Sequence, residues 1–493
     1  MGVEQRPPGR PRGRTAEQDW QQLYIGGRWV DPTATDRIET VSPHDETPFG
    51  SCPAGSTEDI DRAVAAARRA FDQGPWPRMT VTERVAALRP LADRYLAGQD
   101  EMAALITAEM GSPIQFGRIG QSWAAWALLD TMLNLALETS WEDERPSMLG
   151  MTALVRRVPV GVVAAIAPWN VPQITIMSKL APALVAGCTV VVKPAPESPF
   201  DALLLAQWID ELDLPAGVVS VVPARPKMAE HLVRHRDVDK VAFTGSTAVG
   251  RQIGAICGEQ VKRCSLELGG KSAAVILPDA NIPAAMPGLQ FATLVNSGQA
   301  CVAQTRVLAH RDRRDEVVDA FEAVIDGLAV GDPSDEATWI GPMVSQRQQE
   351  RVAGYIDIGA EEGARIVAGG PGRPDGLEKG WYVRPTLFTE VDNGMRIARE
   401  EIFGPVLSVI GYDDVDDAVR IANDSDYGLA GSVWGSDEDL AMSVARRLRV
   451  GTVGINKYAP DFLAPFGGFK QSGIGREYGA EGIEEYLEVT SIA

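Results

Sequence analysis

Near-continuous apolar runs recur through the middle of the chain. They are VGVVAAIA at 160–167, TVVVK at 189–193, GVVSVV at 217–222, KVAFT at 240–244 and CSLEL at 264–268. Strands buried on both faces show no polar alternation, and helix-length segments at 199–212 and 247–258 separate these runs. The pattern predicts a parallel sheet covered by helices on both faces and joined by right-handed crossovers. This is the architecture of a nucleotide domain, although the pattern itself names no ligand. A second alternation begins after Gly270: SAAVIL, a helix towards Asn296, the strand TRVLAH and a helix over 315–327. It predicts a separate α/β domain. Ahead of both, STEDIDRAVAAARRAFDQG pairs Ser56 with Asp59 and closes at Gly74, the signature of a capped amphipathic helix. More helix is expected between about 82 and 138. Two segments stand apart, ALVRRVPV at 153–160 and EEYLEVTSI at 484–492, and both alternate like strands. A C-terminal strand left over after two domains predicts pairing with another subunit.

Composition narrows the possibilities. A length of 493 residues with 45 % hydrophobic content allows several domains with real cores. A formal charge of −20 argues against a nucleic-acid partner, which calls for a basic footprint. Five cysteines with no CxxC pair fit a reduced cytoplasmic protein better than a disulfide framework or a zinc site. His231 and His235 are four apart, but no glutamate follows His231 and no third ligand is suggested, so no metal is expected. The first 20 residues are rich in Arg, Pro and Gly without an apolar core and read as a disordered leader. No stretch reaches the roughly 18 to 20 apolar residues of a membrane span, and no membrane partner is expected.

Several residues carry candidate chemistry, each beside an ordinary reading. Cys301, in NSGQACVAQTRV, is either a small buried hydrophobe or a nucleophile, and a nucleophile needs surroundings that favour the thiolate. Glu267 ends the CSLEL run before Gly269 and Gly270; strand ends in such sheets face the ligand crevice, and a desolvated glutamate acquires a raised pKa suited to base work. The alternative is a surface carboxylate. GGKS at 269–272 is not a phosphate loop, because the glycine required five residues before Gly270 is Ser265. Gly245 and Ser246 open a helix directly after a strand, where backbone N–H groups bind an anion or merely turn the chain. Pro168, Trp169 and Asn170 follow the 160–167 strand, and the Asn170 amide is placed to donate to an oxyanion or to sit in a turn. Lys193 ends the next strand and offers a cation to a ribose or phosphate, or to solvent.

The motifs VPVGVVAAIAPWN, APALVAGCTVVVKPAPESP, FTGSTAVG, LELGGKS, GQACVAQTR, EEIFGPV and PFGGFKQSGIGRE resemble, in order and spacing, the aldehyde dehydrogenase superfamily. The resemblance runs from about Leu23 to the C-terminus. It implies a Rossmann-type cofactor domain over 21–140 and 159–268, an α/β catalytic domain over 269–470, and a small oligomerisation sheet from 141–158 and 478–493. By this resemblance Cys301 attacks an aldehyde, Asn170 holds the oxyanion, and Glu267 activates the water that hydrolyses the thioester. Lys179 and Glu477 match the pair that relays the proton away. Cofactor contacts are expected at Pro168, Trp169, Lys193, Arg225, Gly245, Ser246, Leu268, Glu401 and Phe403. The presence of Glu267 favours hydrolysis over transfer to coenzyme A. A homodimer or homotetramer is implied.

Two departures concern the cofactor. Three residues after Lys193, where NAD-using relatives commonly carry a glutamate, stands Pro196, with Glu197 next; and the turn after the third strand is Ala224-Arg225-Pro226. Losing a carboxylate and gaining an arginine suits a 2′-phosphate, so NAD is expected and NADP stays open. Val171 and Ser178 stand where several relatives place aromatics, which points to a roomier tunnel and an apolar aliphatic or aromatic aldehyde. Two other readings are weighed. A Cys–His hydrolase needs a histidine beside Cys301, and no histidine lies in a segment resembling an active-site loop. A catalytically silent binding or structural protein on the same fold is disfavoured by intact Cys301, Glu267 and Asn170.

Overall fold

The computed structural model describes residues 18–146, 148 and 150–493. Its first large sheet runs, edge to edge, Gly473–Ile474, Arg263–Glu267, Lys240–Thr244, Val162–Ile166, Thr189–Lys193, Val219–Val221, Leu23–Tyr24 and Trp29–Val30. The five strands between 162 and 267 are mutually parallel. In chain order they lie 3-2-1-4-5, so the winding reverses between Val162–Ile166 and Lys240–Thr244. Ligands of such sheets bind outside the carboxyl ends of the strands at that reversal. The N-terminal hairpin and Gly473–Ile474 add antiparallel edges. Every residue of Val162–Ile166 and Thr189–Lys193 is buried, which is why these strands read as unbroken apolar runs.

The second sheet has seven strands, in the order Arg365–Ala368, Thr386–Thr389, Val406–Tyr412, Arg306–His310, Ala273–Ile276, Ala430–Trp434 and Thr452–Ile455. Only the first of these pairs antiparallel. A doubly wound sheet beside a second α/β sheet is the fold class expected from the sequence. The helix Thr57–Gln73 has the full reciprocal cap between Ser56 and Asp59, with Gly74 at its end. Downstream, helix is broken at Gly98 and at Gly111, where φ is +80°, and passes through a π-helical turn, Gly117–Trp123, before Ala124–Glu138.

The structure differs from expectation at three places. Residues 1–17 of the expected leader lie outside the described residues, but Gln18–Asp19 form a strand and Trp20 is buried among Ile38, Phe49 and Phe200. Trp20 also stacks on Trp29 at 5.5 Å, so burial of an aromatic anchors the chain before residue 21. Within 478–493 only Leu487–Ile492 is a strand, since Gly479–Glu484 is helical. That strand is also not left over: it pairs antiparallel with Thr152–Pro159 of the same chain, which pairs with Glu142–Pro146. Six consecutive in-chain pairings satisfy one edge of the strand and leave the other available.

Candidate active site

The sheet reversal gathers most of the candidate residues. The strand Val162–Ile166 runs into Pro168, Trp169 and buried Asn170, after which Pro172 starts the helix Pro172–Ala186 that carries Lys179. The neighbouring strand ends at Thr244, followed by Gly245, whose N–H donates to the Glu267 carbonyl at 3.0 Å. Ser246 caps the helix Thr247–Glu259 by accepting from the Val249 N–H. Leu268 packs over Gly250 of that helix, where a Cβ would sit 2.4 Å from its side chain.

Glu267 is buried, and neither carboxylate oxygen has a hydrogen-bond partner among the described residues. Burial, then the carboxylate of Glu477, hold its pKa well above the usual range, while Lys179 and Arg476 pull it down. Lys179 is fully buried. Its ammonium donates to Glu477 Oε1 at 2.7 Å, to Thr244 Oγ1 at 2.6 Å and to the Thr175 carbonyl at 3.2 Å. Glu477 in turn exchanges backbone hydrogen bonds with Phe466.

Cys301 follows the helix Ile282–Leu294 and a turn in which Asn296, Ser297 and Gly298 all have positive φ, at 53°, 57° and 72°. Two adjacent non-glycine residues in the left-handed region carry backbone strain that surrounding contacts must hold. Ser112 Oγ donates to Asn296 Oδ1 at 2.8 Å, and Ser297 Oγ accepts from the Gly341 N–H at 2.9 Å. Gln299 is fixed by Pro342 and Val344. The half-buried Cys301 thiol is pushed up to about 12 by burial first, then by Glu401, Glu267 and Glu477. Three carboxylates around one thiol disfavour a resting thiolate, so its proton has to leave during attack.

Asn170 Nδ2 donates to the Gln299 carbonyl at 3.0 Å, two residues before Cys301. Its own carbonyl accepts from Gln121 Nε2 and from Asn296 Nδ2, each at 2.9 Å. Gln121 and Asn296 are site residues that reading the sequence missed. Gln121 lies in the π-helical turn, where helical periodicity gives no signal, and the conformation of Asn296 depends on distant contacts.

The expected cofactor contacts divide into two groups. Trp169 and Phe403 meet edge to face at 5.4 Å, and Glu401 Oε1 accepts from the Gly270 N–H at 2.9 Å beside them. Lys193 is buried, its pKa lowered to about 8 by burial, and it donates to the Pro194 carbonyl at 2.6 Å. Arg225 follows the strand Val219–Val221, which neighbours the one that ends at Lys193. It is held by Asp36 at 2.9 Å and by the Arg37 carbonyl at 2.8 Å. Glu197 faces Arg347 at 3.2 Å. His231 and His235 share Asp61, at 2.6 and 3.6 Å, and so tie two helices together. No group of three or more metal-ligating side chains occurs among the described residues.

Fold and site together are those of a doubly wound α/β protein in which a cysteine and a buried glutamate act on each other electrostatically near the sheet reversal. The chain belongs to the aldehyde dehydrogenase family, whose sequence model matches residues 29–492. It is 46 % identical over 474 residues to the geranial dehydrogenase of Castellaniella defragrans, covering 96 % of this chain and 98 % of that one. The crystal structure of Mycobacterium tuberculosis aldehyde dehydrogenase complexed with NAD+ superposes with a TM-score of 0.95 at 46 % identity, covering 97 % and 98 % of the two chains. Aldehyde dehydrogenase C of Pseudomonas syringae, solved with NAD+ and octanal, superposes with a TM-score of 0.92 at 42 % identity, covering 96 % of each. Aldehyde oxidation follows for this chain as a member of the family.

Proposed function

We propose that this protein oxidises a neutral, apolar aldehyde to its carboxylic acid with NAD, through a thioester on Cys301 that water hydrolyses. The observation that carries the reading is the convergence of Cys301, Asn170, Glu267 and the Lys179–Glu477 pair at the sheet reversal. The Cys301 sulfur bonds to the aldehyde carbon as its proton passes to Glu267, one of the carboxylates that act electrostatically on the thiol. The new oxyanion takes N–H donors from Asn170 Nδ2 and the Cys301 backbone. A bound nicotinamide would supply the acceptor for the hydride of the former aldehyde C–H, with the acyl group left on the Cys301 sulfur. Lys179 and Glu477 pass the thiol's proton outward, which returns Glu267 to the carboxylate. Glu267 then removes a proton from water as it adds to the thioester and gives it to the departing sulfur, so that collapse releases the acid and the thiol.

The residues present suit a dinucleotide. Lys193 is a buried cation whose one hydrogen-bond acceptor among the described residues is a carbonyl, ready for ribose hydroxyls. Ser246 and Gly245 stand at a helix N-terminus suited to a pyrophosphate. Glu401, Trp169, Phe403, Pro168 and Leu268 frame the inner end. Arg225 already has Asp36 as its counter-ion, which favours NAD over NADP. Three acidic side chains act on Cys301, and Val302, Phe462, Trp169 and Ile174 pack, as Cys301 does, against the same hydrophobic core. Such surroundings repel a carboxylated aldehyde and accept an apolar one, in keeping with the geranial and octanal of the relatives' names.

Cofactor reduction, followed by near-ultraviolet absorbance over a panel of aldehydes with NAD and NADP, tests the reading. Wild type is expected to turn over NAD with apolar aldehydes. Cys301→Ala should give no reduction, and Glu267→Gln a single burst at most. Sustained turnover by the glutamine variant would assign the hydrolytic base elsewhere.

A further inference from the structure

We propose that Gln121 is a positioning residue for the oxyanion donor Asn170. The proposal rests on the reading of Asn170 given above and adds a residue outside the motifs that support it. The backbone carbonyl of Asn170 is gripped from two sides by buried primary amides, Gln121 Nε2 and Asn296 Nδ2, each at 2.9 Å. Neither amide can be reversed without loss. Asn296 Oδ1 is occupied by the Ser112 hydroxyl at 2.8 Å, so its nitrogen must face Asn170. Gln121 offers the same carbonyl a donor only through its nitrogen. With its carbonyl clamped and one Nδ2 hydrogen bonded to the Gln299 carbonyl, the Asn170 amide keeps a second hydrogen without an acceptor among the described residues, the one left for the oxyanion.

The local backbone accounts for how Gln121 reaches inward. It lies in the π-helical turn Gly117–Trp123, where the wider winding leaves Ile119 and Trp123 exposed at 65 % and 45 % while Gln121 is fully buried. Such single π-turns inside α-helix recur at functional sites. Gln121 Oε1 is buried with no hydrogen-bond partner among the described residues, a cost that an apolar residue of the same size would avoid. What the position gains for that cost is the donor to Asn170.

Three variants measured by single-turnover cofactor reduction test this, beside the rate at which iodoacetamide alkylates Cys301. Alkylation is a displacement at saturated carbon and needs no oxyanion donor, so it reports thiol access, thiolate fraction and folding but not oxyanion stabilisation. Asn170→Ala should slow the burst by about 100-fold, as for other oxyanion donors. Gln121→Met, of similar volume without a donor, should slow it about 10-fold, the scale of lost orientation. Its alkylation rate should match wild type. Adding Gln121→Met to Asn170→Ala should cost less than about 2-fold, because a residue acting through Asn170 has nothing left to position. A wild-type burst in Gln121→Met, a full loss repeated in the Asn170→Ala background, or a parallel fall in alkylation overturns the proposal. An Asn170→Ala burst at the wild-type rate removes the reading beneath it. Gln121→Glu, of equal length and lacking the donor when ionised, is measured at alkaline pH with the same expectation if Gln121→Met does not fold.

Discussion

At the scale of single residues the site is a cluster of buried charges in which one cation restrains two carboxylates. Lys179 pairs with Glu477 at 2.7 Å and lowers the pKa of Glu267, which burial and Glu477 raise. Lys179→Gln therefore leaves Glu477 unpaired in the interior and pushes Glu267 higher still. Because the base works as the carboxylate, the rising limb of the pH–rate profile should move to higher pH. Stability should fall by about 3–5 kcal/mol, the usual loss when one partner of a buried pair is removed. Stopped-flow burst and steady-state rates across pH, beside urea unfolding, check both; an unmoved pH limb would separate Lys179 from Glu267. Arg225 poses a different question, since its pair with Asp36 is solvent-exposed on both sides. Asp36→Ala frees the guanidinium for a 2′-phosphate, and the NADP-to-NAD ratio of kcat/KM should rise about 2- to 5-fold, the range of an exposed pair. An unchanged ratio would place Arg225 beyond reach of that phosphate.

At the scale of elements, the helix Phe200–Asp210 begins on two buried carboxylates. Both oxygens of Glu109 accept backbone N–H groups, from Phe200 at 2.7 Å and Asp201 at 3.3 Å, and these bonds partly offset the burial and the Asp201 carboxylate that hold its pKa well above the usual range. Asp201 accepts only from Gln173, its other oxygen has no partner among the described residues, and burial raises its pKa from 3.8 to about 8. An acid with a raised folded pKa stabilises the fold while protonated, and that contribution is lost as pH rises from about 4 through about 8. Asp201→Asn keeps the acceptor for Gln173 without the charge. It should be more stable than wild type at pH 9, by on the order of 2 kcal/mol, and no more stable at pH 4. Urea midpoints at the two values decide it, and equal differences at both would put the proton elsewhere. Elements of this kind were legible in part. KVAFT is a strand at 240–244 to the residue, and the Ser56 cap is as read, because burial and capping leave local marks. The edge strand Gly473–Ile474 and the π-turn holding Gln121 left no such marks. Two residues have no period, and a turn wound five apart breaks the 3.6-residue pattern. The left-handed Asn296 was equally hidden, since Ser112 reaches it from 184 positions away.

At the scale of the whole molecule, the three-stranded sheet sits outside both large sheets, and its two edges differ. Along Glu142–Pro146 the sequence is EDERP, a charged edge of the sort that resists further pairing. Along Leu487–Ile492 the residues Val489 and Ile492 stand 67 % and 52 % exposed. The strand is nonetheless firmly seated, by six pairings to Thr152–Pro159, by the Lys240–Glu485 pair at 3.0 Å, and by Arg263 with Glu488. A rigid strand with one satisfied edge and exposed apolar side chains suits association with a second copy about a twofold axis. We expect a homodimer or homotetramer in solution, and Val489→Lys with Ile492→Lys should reduce it to the 53.0 kDa monomer with a native far-ultraviolet spectrum. Light scattering on the eluting peak gives the mass directly. Removal of the residues after Tyr486 should be harsher, because it also strips the inner partner of Thr152–Pro159 and exposes that strand, so aggregates are expected beside monomer. An unchanged oligomer in the double-lysine variant would move the interface away from this edge.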